Sequence, residues 1–294
     1  MTQEQHDMDR LDPKTAPFGR FRPNGFQQMM REWGERLPAS QPRSLLKSTL
    51  FRLAGGKQET PKDVKLFDGV KVRLYPYDNV CEKRAYLAVQ SWDAKERDAI
   101  RKAIEEAKGE NFYFLDVGAN VGLYSLYTES VARELGKKAR ILAIEPEPVV
   151  LARLQKNIEF SRSEIKVLPV AITDKEQEVV IAPSGSNRGE NKISQDDSAK
   201  GAVKVPGKPL QMILEQEDVP RVDFMKIDVE GYERPILIKF FAEAPKHLFP
   251  RRIILETLHN EGPQRGGLSV CLDNGYEILD RSRMNAILGL KGGE

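Results

Sequence analysis

The stretch Phe112-Tyr-Phe-Leu-Asp-Val-Gly-Ala-Asn-Val-Gly122 decides how this chain is read. Four β-favouring residues run into an acid, Asp116, then into a Gly-x-x-x-Gly turn at Gly118 and Gly122, and then into the helical spacing of Leu123, Leu126 and Val131. The pattern predicts a strand, a tight loop and a helix start. Such a turn brings backbone N–H groups and a helix N-terminus up to a ligand, because glycine removes the Cβ atoms that would hold it off. An ordinary turn in a buried parallel sheet has the same pattern, so the residues downstream decide between the two.

Residues 140–144 are a second apolar strand ending in Glu145, which lies 23 residues past Gly122. In nucleotide-binding βαβ units an acid about 20 residues after the glycines accepts hydrogen bonds from ribose hydroxyls, and Glu145 is expected to do so here. Pro146 and Pro148 then open a helix through Leu151, Leu154 and Ile158. A third strand over 165–172 ends at Thr173-Asp174, and 179–181 adds a short strand. The polar run from Ser184 to Asn191 suits a mobile lid or a plain insertion. A fourth strand over 222–227 ends in Asp228, followed by Val229-Glu230-Gly231-Tyr232-Glu233 and a helix to about Ala242. The fifth strand, 252–258, carries Glu256, His259 and Asn260 at its end. A helix over 268–272 and strands near 276–279 and 286–288 close the chain. Alternating strands and helices predict an α/β fold with a mostly parallel sheet, and sites belong at the carboxyl ends of such strands.

Upstream, Val64, Leu66, Val70, Val72 and Leu74 alternate around Asp68-Gly69, which predicts a β-hairpin with a two-residue turn. Asp93-Ala-Lys-Glu96 reads as a capping box at the start of a charged helix that Gly109 stops. Residues 1–60 mix Pro, Gly, Gln and charge with two amphipathic pieces. One carries Phe26, Met29, Met30 and Trp33, the other Leu45, Leu46, Leu50 and Phe51. They predict a helical or partly disordered extension whose apolar residues dock on the main domain, cap a substrate cleft or form a dimer contact, with docking the default because an apolar helical face is most often core.

Composition narrows the function classes. With 46 Lys and Arg against 44 Asp and Glu, the formal charge of +2 generates no field for phosphate backbones or an anionic membrane surface, and nucleic acid is not expected as a partner. Cys81 and Cys271 have no metal-type spacing, so no metal site or disulfide framework is expected and a cytoplasmic location fits. Residues 1–17 are polar where a signal peptide needs an apolar run, and no apolar stretch is long enough for a membrane span.

Asp116-Val-Gly-Ala-Asn-Val-Gly122, Glu145-Pro146, Lys226-Ile-Asp-Val-Glu-Gly-Tyr-Glu233 and Ile254-Leu-Glu256 together resemble the FkbM family of S-adenosylmethionine-dependent methyltransferases. The first motif and the strand-end acid belong to most methyltransferases with a Rossmann-like sheet, and the Lys-Ile-Asp-Val-Glu-Gly-x-Glu block is the specific part. The resemblance implies a Rossmann-like class I fold: a mostly parallel seven-stranded sheet, its last strand antiparallel, with helices on both faces. It also implies methyl transfer, usually to a hydroxyl oxygen. On this reading residues 1–60 are an N-terminal extension and 61–294 a methyltransferase domain, with a hairpin lead-in at 61–91 and the Rossmann-like core at 92–294. The extension has no counterpart in the family.

The residues themselves favour S-adenosylmethionine over a nicotinamide dinucleotide. The dinucleotide fingerprint needs a glycine where Asn120 stands. A cofactor with an ammonium group needs an acid near the loop and close backbone for its carboxylate, which Asp116, Gly118, Asn120 and Gly122 supply. Glu145 takes the ribose, Ala171, Ile172 and Asp174 are placed by strand order to meet the adenine, and Asp228 is a candidate for the cofactor's amino group. An alcohol acceptor must lose a proton, and Asp228, Glu230 and His259 are the candidate bases, with His259 the natural fit near neutral pH. Glu256 is placed to position His259 or the acceptor. Glu230 and Glu233 serve equally as charge compensation at a helix N-terminus. Expected partners are a small-molecule or glycan acceptor and a second copy in a homodimer. A non-catalytic cofactor-fold protein is the competing class, and the intact acids Asp116, Glu145 and Asp228 speak for catalysis.

Overall fold

A computed structural model describes residues 12–36, 45–183, 187, 189, 191–194, 201–257 and 266–292. The backbone divides into two compact units, one of residues 1–92 with 152–162 and the other of residues 93–151 with 163–294.

The first unit holds helices α1 (Gly25–Glu35), α2 (Leu45–Leu53) and α3 (Val80–Ala88), and the antiparallel hairpin β1 (Lys62–Lys65) and β2 (Lys71–Leu74). The hairpin matches the alternation of its sequence, but its turn is longer than two residues. Leu66 N–H donates to the Val70 carbonyl, leaving Phe67, Asp68 and Gly69 as the loop, with Gly69 in the left-handed region at φ 72°. Buried Arg73 of β2 donates to Asp63 of β1 at 2.7 Å and to the carbonyls of Ala16 and Pro17, both at 2.9 Å. Asp63 in turn accepts from the backbone N–H of Gly19 and Phe21. The segment before α1 is therefore clamped by one buried ion pair. Arg153 makes a second such knot with Asp78 and buried Glu82, its guanidinium stacked 3.8 Å from the Tyr75 ring centre.

The second unit is an α/β layer structure. Its main strands are β3 (Asn111–Val117), β4 (Lys138–Ile144), β5 (Ile165–Leu168), β10 (Phe224–Ile227), β11 (Arg252–Glu256), β12 (Tyr276–Arg281) and β13 (Asn285–Leu290), in the order β12-β13-β11-β10-β3-β4-β5. Pairings from β11 through β5 are parallel, and β13, the last strand, is antiparallel to β11. This is the seven-stranded Rossmann-like sheet that the motifs imply. A second, four-stranded sheet contains β6 (Ala171–Ile172), β7 (Gln177–Pro183), β8 (Asn191–Ser194) and β9 (Val203–Lys208). The expected single strand over 165–172 is thus divided, its first half in the main sheet and its second half pairing with β9.

The helices are α4 (Ala94–Glu106), α5 (Leu123–Glu134), α6 (Pro148–Ser161), which continues into the first unit, α7 (Leu210–Gln216), α8 (Glu233–Glu243) and α9 (Gly267–Asp273). Successive strand residues point to opposite faces, which sorts the core. Leu115, Val117, Met225, Ile227, Ile253 and Leu255 pack with Ile213, Leu237, Phe240 and Val270 of α7, α8 and α9. The alternate residues of β3, β10 and β11, namely Phe114 and Asp116, Phe224 and Lys226, and Ile254 and Glu256, share the other face, where α5 meets Asp116 through Ser125. Asp93 at the head of α4 makes no cap: it sits at φ 41° and its carboxylate accepts from the Tyr124 hydroxyl at 3.0 Å, so the expected capping box is absent. No described helix is long and apolar enough to cross a membrane.

Candidate active site

The site forms where the carboxyl ends of β4, β3, β10 and β11 lie side by side, and the loop after β3 is its centre. Gly118 and Ala119 N–H both donate to the Ile144 carbonyl, at 3.0 and 2.9 Å, which folds the loop over the end of β4. Gly118, Asn120 and Gly122 all lie in the left-handed region, at φ 74°, 52° and 83°. Gly118 is required twice over. A Cβ there would sit 1.9 Å from the Asp228 carbonyl oxygen, so the loop can pass the end of β10 only without a side chain.

Two buried acids frame this loop. Asp116 accepts from the Ser125 hydroxyl at 2.6 Å through Oδ2, while Oδ1 is buried without a hydrogen-bond partner among the described residues. Desolvation raises its pKa against the opposing pull of Lys226. Glu145 accepts from Asn120 N–H at 2.8 Å on one oxygen and from Glu147 N–H at 3.0 Å on the other. Each oxygen keeps a lone-pair direction for a further donor, such as a ribose hydroxyl. Burial pushes this carboxyl up to about 7 despite the two backbone bonds.

The third group comes from the Lys-Ile-Asp-Val-Glu-Gly-Tyr-Glu block. Buried Lys226 donates to the Gly118 carbonyl at 2.6 Å and pairs with Asp228 at 3.2 Å, which ties the glycine loop to the end of β10. Glu230 and Gly231 turn the chain at φ 55° and 97°. Glu233 accepts from Val229 and Gly231 N–H, at 2.9 and 3.3 Å, and closes the turn as α8 begins. This is the helix-terminus role the sequence left open for Glu233, and Glu230 is half-buried in the turn itself. Glu256, at the end of neighbouring β11, faces the negative charges of Asp228, Glu230 and Glu233. Burial first, and then these charges, push its carboxyl up to about 9, so it keeps its proton at neutral pH beside Asp228. Asp228, Glu233 and Glu256 each offer an oxygen within 4.8 Å of the others, a spacing that could also hold a cation.

Asp174 is brought to the same loop, where it accepts from the Tyr232 hydroxyl at 3.0 Å. Ala171 and Ile172 are buried in β6, which ends two residues before Asp174. His259 and Asn260 lie outside the described residues, as do most of the residues between Ser184 and Asn191. The sequence reading assigned no role to Lys226, Ser125 or Tyr232. For Lys226 a signal was present: a single cation inside the apolar strand Phe-Met-Lys-Ile has to be neutralised locally.

The donor set fits S-adenosylmethionine. Buried or half-buried acids outnumber the one buried lysine around a loop that presents close backbone, which suits a ligand carrying an ammonium and a sulfonium. A pyrophosphate would meet Asp116 as a like charge.

Residues 116–280 match the model of the methyltransferase FkbM domain. The chain is 27% identical over 143 residues to hexuronic acid methyltransferase AglP of Haloferax volcanii, a match spanning 48% of this chain and 55% of AglP, so just over half of that relative is covered. It is 28% identical over 199 residues to methyltransferase sdnD of Sordaria araneosa, covering 57% of this chain and 74% of sdnD. Among solved structures, the METTL16 methyltransferase domain aligns over 89% of this chain and 88% of its own, with 12% identity and a TM-score of 0.48. The family match takes in the glycine loop, Glu145, the Lys226 to Glu233 block and Glu256, and the chain belongs to the FkbM methyltransferase family, with S-adenosylmethionine as its methyl donor.

Proposed function

We propose that this chain is an O-methyltransferase whose acceptor is a hydroxyl group on a sugar, glycan or secondary metabolite. The observation that carries this reading is the Lys226 bridge. One buried ammonium holds the Gly118 carbonyl and the Asp228 carboxylate together, so the cofactor loop and the acids of β10 and β11 form one locus. The cofactor supplies an electrophilic methyl group. Asp116, Asn120 and Glu145 orient it, and alignment of the acceptor provides much of the rate. Asp228, with Glu256 protonated beside it, is the group that holds an acceptor hydroxyl and takes its proton, and Glu230 is next in reach of the same acids. His259 remains a candidate for the same role. AglP acts on a hexuronic acid by name, which supports an oxygen acceptor on a sugar. The near-balance of 46 basic and 44 acidic residues supports a small molecule or glycan over nucleic acid.

The test is transfer of labelled methyl from S-adenosylmethionine to a panel of sugars and uronic acids, followed by mild alkali. Label that survives alkali is the ether expected of hydroxyl transfer. Label released as methanol is an ester and would replace the hydroxyl by a carboxylate acceptor.

A further inference from the structure

The first unit presents an apolar surface that its own packing does not use. In α1, Met30, Arg31 and Gly34 are buried, with Arg31 donating to the Tyr86 carbonyl at 2.7 Å and a Gly34 Cβ position lying against Leu87. In α2, Leu50 and Phe51 are buried, and Ala54 just beyond accepts from the Tyr86 hydroxyl. These residues fix both helices. The others of the two amphipathic pieces do not dock as the sequence suggests: Phe26 is 52% exposed, Trp33 55% and Leu45 89%, with Met29, Leu46 and Leu53 also exposed. At helical spacing Phe26, Met29 and Trp33 form one stripe, and Leu45, Leu46 and Leu53 another, on two helices that pack together.

We propose that these outer faces of α1 and α2 dock on an anionic lipid surface. Charge selects this occupant. From Arg36 to Lys57 the sequence holds five basic residues, Arg36, Arg43, Lys47, Arg52 and Lys57, and no acid, although the whole chain carries a formal charge of only +2 and Glu32 is exposed on the same face of α1 as Met29 and Arg36. Arg36, Arg52 and Lys57 are exposed. Arg36 follows Met29 by two helical turns and so flanks the first stripe, and Arg52 sits beside Leu45 and Leu53 on the second. Aromatic and aliphatic side chains bordered by arginine and lysine match the headgroup boundary of a bilayer, where rings and chains enter the acyl edge and the cations meet lipid phosphates. A second copy of the chain is the poorer occupant, because a two-fold contact would set Arg36, Arg52 and Lys57 against their own copies, with Glu32 the one exposed acid on α1 and α2 to offset them. The helices are too short to span, so the mode is peripheral.

The chain reports on this itself. Of its two tryptophans, Trp33 is exposed and Trp92 is 1% exposed, so a blue shift of emission on adding vesicles belongs to Trp33. The test is sedimentation and fluorescence of the full chain with phosphatidylcholine vesicles with and without phosphatidylglycerol. Binding should be about tenfold or more tighter with the anionic lipid, with a blue shift, and should weaken as salt rises to about 0.5 M. Phe26→Ser with Trp33→Ser and Leu45→Ser should abolish sedimentation while leaving S-adenosylhomocysteine binding intact. Arg36→Gln with Arg52→Gln and Lys57→Gln should remove the preference for anionic lipid. No binding, equal binding to both vesicles, or a Trp33 shift that depends on protein concentration without vesicles would overturn the proposal, the last in favour of self-association. None of these outcomes bears on methyl transfer, since the site residues lie in the other unit.

Discussion

Glu145 is the most exacting single position of the cofactor site. Its two oxygens are held by separate backbone N–H groups, so the carboxylate is fixed before any ligand arrives. Glu145→Ala should weaken S-adenosylmethionine binding by about 1–3 kcal/mol, the range for charge-assisted hydrogen bonds, as read by calorimetry. An unchanged affinity would remove Glu145 from the ribose. Glu256 makes a prediction about pH. Its carboxyl keeps its proton in the folded chain up to about 9, whereas the ordinary value of a glutamate is 4.5. Between those values the unfolded state binds fewer protons than the native one, so stability attributable to Glu256 is full below that window and declines as pH rises through it. Glu256→Gln cannot ionise and should flatten that decline. Melting temperatures of wild type and variant should agree most closely below about pH 4 and separate in the variant's favour toward pH 9. A difference that does not change with pH would contradict the assignment of the proton.

The loop from β3 to α5 and the end of β10 act as one element, joined by the close approach at Gly118 and by Lys226. Gly118→Ala would place a methyl 1.9 Å from the Asp228 carbonyl at a φ of +74°. The cost should be about 2–4 kcal/mol of stability, with cofactor binding lost along with loop geometry, as read by denaturant unfolding and titration. Wild-type stability and affinity would show that the loop does not pass β10 this closely. Much of this element was legible in the sequence. Asp116, Gly118 and Gly122 announced a strand-turn-helix, and Glu145 and Asp228 announced strand ends, because local patterns of period two and turn glycines carry that information. Glu233 was visible only as an alternative, since helix-terminus and catalytic acids look the same in sequence. Other features were hidden because they depend on which strands become neighbours. The register that puts Lys226 beside Asp116, and Glu256 one position past the last pairing with β10, is a property of the sheet order. The split of 165–172 between two sheets was equally hidden, since both halves read as β and the partner β9 lies over 30 residues away. Asp93 failed as a cap for a related reason: a Tyr124 hydroxyl from the next helix took its carboxylate.

Buried ion pairs cross-link the first unit. Arg73 is buried between Phe21 and Phe160, with ring centres 4.6 and 4.9 Å away, while it holds Asp63 and the carbonyls of Ala16 and Pro17. Arg73→Met would leave Asp63 buried without its counter-ion and should cost about 3–5 kcal/mol. Limited proteolysis should then cut the segment before α1 first, and a variant as resistant as wild type would show that the clamp is dispensable. For the chain as a whole, the strand ends of β3, β4, β10 and β11 are expected to act as one S-adenosylmethionine site. A calorimetric titration of wild type and Glu145→Ala with S-adenosylhomocysteine, run beside NADH, tests it most directly. One molecule of S-adenosylhomocysteine should bind per chain, more weakly in the variant, with no heat from NADH. Absence of S-adenosylhomocysteine binding in the folded wild-type chain, or binding of NADH at this site, would contradict the account.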